Sequence, residues 1–208
     1  MATEVTADAT RSAEERPLLD TLTAIRTRRA VKAYDPRPIP REWIEELLDA
    51  ARWAPNHKLT HPWRFNVFMD EGRERLVEAR QAAVRWAAER KGEPVSEQDL
   101  QFAREKVYSA PVLLVVSQVQ SDNKIQQQED YAACWCAIEN FCLAATARGL
   151  ASYPSTGVWV DQNTLGPIIG LPEDERPVAC VFLGFSDVQP VPKRFPAERH
   201  TRWYTEAE

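Results

Sequence analysis

The residues most able to do chemistry lie in one loop, ARWAPNHKLTHPWRF, at positions 51–65. This loop holds two of the three histidines of the chain, His57 and His61, with Lys58 between them. Such residues could form a metal site, supply a catalytic acid and base, or line a pocket for a flat ligand. Prolines on both sides prevent a helix here, so His57 and His61, although four positions apart, cannot adopt the geometry of a helical zinc site. We therefore predict no metal site here.

Motifs for several other chemistries are absent from the sequence. It contains no HExxH, CxxC or GxSxG, and nothing around Ser152 or Ser155 indicates a hydrolytic triad. It also contains no GxGxxG and no P-loop, and it has only seven glycines, which argues against a Rossmann or Walker-type nucleotide site. The net charge of −5 argues against a nucleic-acid-binding face.

The cysteines and the N-terminus bear on the cellular location of the protein. Cys134 and Cys136 would point about 200° apart on a helix, so they cannot share a metal or a disulfide. We predict that these two, Cys142 and Cys180 are buried, inert thiols. No uninterrupted apolar run is long enough for a membrane span, and the N-terminus lacks an apolar leader. A cytoplasmic protein is the expectation.

Basic residues crowd the segment IRTRRAVKAY at residues 25–34. Arg26, Arg28, Arg29 and Lys32 fall within seven positions. Two interpretations stay open: the cations complement a helix C-terminus, or their side chains bind a phosphate. A second basic cluster, PKRFPAERHTR, lies near the C-terminus. The two clusters could close on one phosphate, within a chain or across two chains.

The hydrophobic pattern predicts an α+β fold with more helix than strand. The predicted order is helix, helix, strand, two helices, strand, long helix, strand, helix, strand and tail. Two apolar runs, at 111–119 and 177–185, indicate strands buried on both faces. The long helix, at 130–148, is apolar nearly all round, which is typical of a core or an interface. We predict a flexible tail over residues 1–17 and a single domain over 18–208.

Three segments together resemble the FMN-dependent nitroreductase family, in its small single-fold bacterial branch. TRRAVKAYDPRPIP resembles the family's N-terminal RRSxRxF…PV signature, and APNHKLTHPWRF resembles its APDHKxxQPW loop. ARGLASYPSTG resembles the segment that follows the family's long central helix and passes the flavin ring. Their order and spacing agree from about residue 18 to the end of the chain.

The resemblance implies a fold and an assembly. We expect three layers, α/β/α, around a central, largely antiparallel sheet, with a C-terminal extension that wraps a dimer partner. The partners expected are a second copy of the chain, with FMN at the subunit interface, NAD(P)H and a small-molecule acceptor. No nucleic acid and no membrane is expected among them.

The resemblance also implies a reaction. A nicotinamide nucleotide would give hydride to FMN, which would pass it to a nitroaromatic, a quinone or a similar acceptor by ping-pong kinetics, with no catalytic residue required. Two alternatives stay open. One is a specialised flavin reductase of a single enone, small aldehyde or halogenated aromatic, and the other is a flavin-binding protein without turnover.

The residues that the resemblance assigns to FMN come from four segments. They are Arg28, Arg29, Ala30 and Lys32; Trp53 and His57 from the other subunit; Pro154, Ser155 and Thr156 along the isoalloxazine ring; and Lys193 and Arg194 in the tail. His57 or Lys58 could place a positive charge near the flavin N1. The chain departs from the family pattern at Ala30, Leu59 and His61, where serine, asparagine and glutamine are usual.

Overall fold

The computed structural model describes residues 18–161, 163–191 and 193–205. The predicted flexible tail, residues 1–17, lies outside the described residues. Within them the predicted order of helices and strands is confirmed, and most boundaries agree to within two residues. None of the described helices is long and apolar enough to cross a membrane.

One antiparallel sheet of four strands forms the centre of the fold. The strands are β1 (Trp63–Met69), β2 (Val112–Val119), β3 (Ala151–Ser155) and β4 (Glu175–Gly184), arranged in the order β1-β2-β4-β3. Every neighbouring pair is antiparallel. The two apolar runs of the sequence form the central strands, β2 and β4, which are buried on both faces as predicted.

Helices cover both faces of this sheet. They are α1 (Thr21–Thr27), α2 (Arg41–Ala51), α3 (Glu74–Lys91), α4 (Glu97–Tyr108), α5 (Lys124–Ala147) and α6 (Leu165–Ile169). Helices α2 and α5 bury one set of apolar side chains against the sheet, and α3, α4 and α6 bury a second set on the opposite face. The expected α/β/α layering is therefore confirmed.

Helix α5 begins six residues before its predicted start. The Asn123 side chain caps it by accepting hydrogen bonds from the N–H groups of Ile125 and Gln126, at 3.0 and 3.2 Å. Its first turns are polar, so an apolar pattern does not reveal them. One side of the helix is in the core, where Phe141 is fully buried, whereas Ala132 on the opposite side is exposed.

The prediction of four buried cysteines is wrong for Cys136, which is exposed. Cys134, Cys142 and Cys180 are buried. Burial raises the pKa of Cys134 to about 12 and that of Cys142 to about 11, which keeps both thiols protonated and unreactive. Cys136 differs because it lies two residues from Cys134, on the exposed side of α5.

The apolar stripe of α1 also faces outward. Asp20 caps the helix by accepting a hydrogen bond from the Thr23 N–H, so the helix begins at Thr21 rather than at the predicted residue 18. Leu22 and Ile25, on the stripe expected to pack, are 59% and 49% exposed. The C-terminal tail exposes further large apolar side chains, namely Val191, Phe195, Trp203 and Tyr204.

Candidate functional site

The basic segment after α1 runs beside the edge strand β3. Ala30 forms a parallel bridge with Ser152, and the Val31 N–H donates to the Ser152 carbonyl at 3.2 Å. Because β3 is the last strand of the sheet, the segment occupies an edge where no further strand of the described residues pairs with the backbone. Residues 28–32 and 154–156, far apart in sequence, therefore lie on neighbouring stretches of backbone.

Arg28 and Arg29 are held differently although they are adjacent. Arg28 follows the last residue of α1, and its Nε donates to Glu139 Oε1 of α5 at 2.9 Å. Arg29 Nη1 donates to the Arg28 carbonyl at 2.6 Å, but Arg29 Nε is buried and has no partner among the described residues. A buried donor without an acceptor costs about 1–3 kcal/mol. Arg29 Nε is thus available to an acceptor that the described residues do not supply.

The end of β3 presents open backbone beside this segment. Pro154 and Ser155 are the last residues of the strand, Ser155 is buried, and Thr156 is exposed. Gly157 follows with φ of +124°, a conformation that residues with a Cβ rarely adopt. A flat ligand could approach the backbone here without meeting a side chain of Gly157.

Lys32 lies over the same strand. Its Nζ is 4.6 Å from the centroid of the Tyr153 ring, and Lys32 and Ser155 line one cavity. The structure therefore brings Lys32 together with the strand end that the sequence analysis assigned to the flavin ring.

The loop between α2 and β1 is strained and firmly held. Lys58, Leu59 and His61 have φ of +54°, +53° and +46°, in the left-handed region that residues other than glycine rarely occupy. Asn56 Oδ1 accepts from the His61 N–H at 3.0 Å, and Thr60 Oγ1 is tied to α5. Backbone strain of this kind persists only where surrounding contacts impose it, and it clusters at functional sites.

Trp53 and His57 project from the surface of this region. Trp53 is 73% exposed and stacks with the Arg52 guanidinium, 5.2 Å from its ring centroid. His57 Nδ1 lies 2.8 Å from Glu129 Oε2 of α5. Among the described residues, no hydrogen bond, ion pair or stacking contact joins either side chain to residues 28–32 or 154–156. One chain alone therefore does not assemble the complete set predicted from the sequence.

Lys193 and Arg194 lie in the exposed tail. Arg194 Nη1 donates to the Lys193 carbonyl, and within the described ranges no hydrogen bond or ion pair joins either side chain to Arg28 or Arg29. The two basic clusters thus do not close on each other within these parts of one chain. In the described part of the molecule, no group of three or more His, Cys, Asp or Glu side chains could hold a metal ion.

The structure reveals two basic residues that the sequence analysis missed. Arg80 of α3 and Lys106 of α4 line the cavity of about 140 Å³ that Lys32 and Ser155 also line. Arg80 follows Leu76 by four positions on α3, and Leu76 is fully buried. An arginine on the buried face of an amphipathic helix is a signal that the sequence contains and that could have been noticed.

The fold and this site define an α+β protein in which a basic segment flanks the edge strand of a helix-covered antiparallel sheet. A match to the Nitroreductase family covers residues 25–185, so the chain belongs to this family of oxidoreductases. YfhC of Bacillus subtilis (strain 168), a candidate NAD(P)H nitroreductase, is 30% identical over 175 residues, which span 83% of this chain and 88% of YfhC.

Solved structures show the same fold. A nitroreductase-like family protein from Bacillus cereus superposes with a TM-score of 0.80 and is 27% identical, covering 92% of this chain and 99% of its own. The FMN- and NADPH-dependent nitroreductase NfnB from Sphigopyxis sp. strain HMH superposes with a TM-score of 0.71 at 21% identity, covering 89% and 99%. The fold expected from the sequence is confirmed.

Proposed function

We propose that the protein is an NAD(P)H-dependent oxidoreductase that uses FMN to reduce nitroaromatic compounds, quinones or similar small acceptors. Membership of the Nitroreductase family, the similarity to YfhC and the FMN dependence of NfnB support this function. The observation that carries it is the buried Arg29 Nε, which has no acceptor among the described residues. Its segment runs beside the edge strand β3, which ends two residues before Gly157.

The residues present fit FMN. Arg28 and Arg29 would hold the phosphate and ribityl chain, because guanidinium groups pair well with phosphate oxygens. Residues 154–156 would lie along the isoalloxazine ring, with the open backbone at Gly157 beside it. Ala30 lacks the hydroxyl of the usual serine, but its backbone can still form hydrogen bonds. When bound, FMN supplies the two-electron transfer between the nucleotide and the acceptor.

The chain itself would position the flavin, shield it and provide charge beside it. Lys32, near the end of β3, places a cation where it can stabilise negative charge on a ring bound there. No acid, base or nucleophile is required of the protein, which agrees with the absence of a triad or dyad motif. The strained loop with Lys58 and His61 would form a rigid wall rather than a source of protons.

We further propose that two copies of the chain complete each site. The exposed apolar side chains of α1, of the outer side of α5 and of the tail would become buried in a homodimer. Trp53 and His57, which are exposed in one chain, would reach the FMN of the other. The tail, with Lys193 and Arg194, would wrap the partner and bring the second basic cluster to the phosphate.

Anaerobic spectroscopy tests the function. The purified protein, saturated with FMN, should lose its flavin absorbance near 450 nm on addition of NADH or NADPH and regain it with a nitroaromatic or a quinone. A flavin-loaded protein that neither nucleotide bleaches would refute the reductase and favour flavin binding without turnover. A panel of acceptors would then separate a broad reductase from one with a single substrate.

A further inference from the structure

A cavity on the α3 and α4 side of the sheet is lined mostly by residues that the proposed reaction does not use. Its volume is about 140 Å³. Three basic side chains and three aromatic rings line it, namely Lys32, Arg80, Lys106, Tyr34, Tyr153 and Phe182. No aspartate or glutamate is among the described residues that line it. A concave site that has positive charges, no negative charges and aromatic walls is a typical setting for a small anionic ligand.

Arg80 is the centre of this charge. Its side chain is partly buried, and within the described residues no carboxylate pairs with it and no hydrogen bond engages its guanidinium. Its contact is with the Trp159 ring, 5.2 Å away. Burial lowers the pKa of Arg80, since desolvation disfavours its charged form. An anion in the cavity would remove this penalty and could accept two parallel hydrogen bonds from the planar guanidinium.

Lys32 and Lys106 extend the positive charge to the mouth of the cavity. Both side chains are exposed, and their ammonium groups rest against aromatic rings rather than carboxylates: Lys32 on Tyr153 at 4.6 Å and Lys106 on Phe102 at 5.2 Å. Like charges around one cavity repel one another, and an anion bound between them would offset this repulsion. The arrangement therefore favours a ligand that carries negative charge.

The aromatic walls and the volume of the cavity limit the size and the chemistry of the part of the ligand that is not charged. Tyr153 and Phe182 pack at 6.0 Å between ring centroids. The Tyr34 hydroxyl is already used, because it donates to the Val31 carbonyl at 2.5 Å, so its ring offers the cavity mainly apolar surface. An apolar cavity of about 150 Å³ accommodates one benzene ring. The space thus suits a single ring rather than a dinucleotide.

We propose that this cavity binds a small aromatic carboxylate, with its carboxylate on Arg80 and its ring against the aromatic wall formed by Tyr153, Phe182 and Tyr34. The cavity shares Lys32 and Ser155 with the proposed flavin site, but the flavin proposal does not use Arg80, Lys106 or the three aromatic rings of the lining. It is therefore testable whether or not the protein reduces anything.

Isothermal titration of the purified, FMN-saturated protein with benzoate tests the proposal, with neutral benzamide and inorganic phosphate as comparison ligands. Benzoate should bind saturably, and Arg80→Gln should weaken it about tenfold or more, because a charge-assisted bidentate pair is lost. Arg85→Gln, an exposed arginine on the same helix, should leave binding unchanged. Lys106→Gln, at an exposed position that tolerates substitution, should weaken it several-fold even if Arg80→Gln does not fold.

Three results would overturn the proposal. Equal benzoate affinity in the wild type, Arg80→Gln and Lys106→Gln would exclude the cavity. Equally tight binding of benzamide or phosphate would exclude an aromatic carboxylate as the ligand. Binding that FMN-free protein shows and FMN-saturated protein lacks would assign the cavity to the cofactor. Flavin absorbance, recorded in parallel, distinguishes these results from failure of the proposed function.

Discussion

Thr60 Oγ1 donates a hydrogen bond to Asp130 Oδ1 at 2.6 Å, and Asp130 is only 3% exposed. The bond joins the strained loop between α2 and β1 to the side of α5 that packs on the sheet. It is the one hydrogen bond that the Asp130 side chain makes to the described residues. The loop therefore keeps its left-handed residues in place through a buried carboxylate.

Replacing Thr60 by valine should lower the free energy of unfolding by about 1–3 kcal/mol, because Asp130 would stay buried without its partner. Denaturant titration of the purified protein measures the change. Thr60→Ser keeps the hydroxyl and should stay within a few tenths of a kcal/mol of the wild type, on the order expected for a substitution that preserves the bond. Identical unfolding midpoints for the valine and serine variants would contradict this role of Asp130.

Alanine at both Arg28 and Arg29 should weaken FMN binding by at least about tenfold, because two charge-assisted contacts to the phosphate would be lost. Fluorescence titration of FMN measures the affinity. Arg26→Ala is the matched control: Arg26 is exposed in the last turn of α1, and its removal changes the helix end without touching the proposed site.

A second control separates the two roles open to Arg28. Glu139→Gln weakens the ion pair with Arg28 but keeps the guanidinium. If Arg28 binds the phosphate, Arg28→Ala should reduce FMN affinity and Glu139→Gln should not. Equal losses in both variants would show that Arg28 acts only by tying α1 to α5.

Arginine at Ala132 should shift a homodimer towards monomers, because a charge would be placed within an interface formed by the outer side of α5. Light scattering at several protein concentrations measures the mass. Glu89→Arg, on the exposed side of α3, introduces the same side chain away from that surface and should leave the mass unchanged. A wild-type mass for Ala132→Arg would place the interface elsewhere.

Alanine at Gly184 should lower the free energy of unfolding by about 1–3 kcal/mol through overpacking. A Cβ there would lie 2.8 Å from Tyr34 Cδ1 and 2.9 Å from Pro111 Cδ, so Tyr34 would have to move. At Gly72 a Cβ would meet nothing within 4 Å, which makes Gly72→Ala the control. Thermal unfolding of both variants measures the difference, and equal midpoints would contradict close packing of Tyr34 on β4.

The order of the elements could be predicted from sequence because it depends on hydrophobic periodicity, which is local. The start of α5 could not, since its first turns are polar and depend on the Asn123 cap. The exposed apolar stripe of α1 has the same periodicity as a buried apolar stripe. The hydrophobic pattern therefore cannot show whether the surface that packs on α1 belongs to the same chain.

The site was only partly predictable for a related reason. Motif resemblance predicted flavin contacts at residues 28–32 and 154–156, and the fold places these two segments on neighbouring stretches of backbone. It could not reveal which arginine lacks a partner, because Arg28 is paired with Glu139, 111 positions away, whereas Arg29 Nε is unpaired among the described residues. Arg80 has no motif around it. Its proposed role in binding an anion depends on Lys32 and Lys106, which the fold brings to the same cavity.

Sedimentation velocity of the FMN-saturated protein distinguishes a flavin site completed by two chains from one held within a single chain. Absorbance at about 450 nm follows the flavin and absorbance at about 280 nm follows the protein. Both absorbances should sediment together as a dimer with one FMN for each chain, and Ala132→Arg should lose the flavin as it loses the dimer. Flavin that sediments with a stable monomer at full occupancy would contradict the shared site.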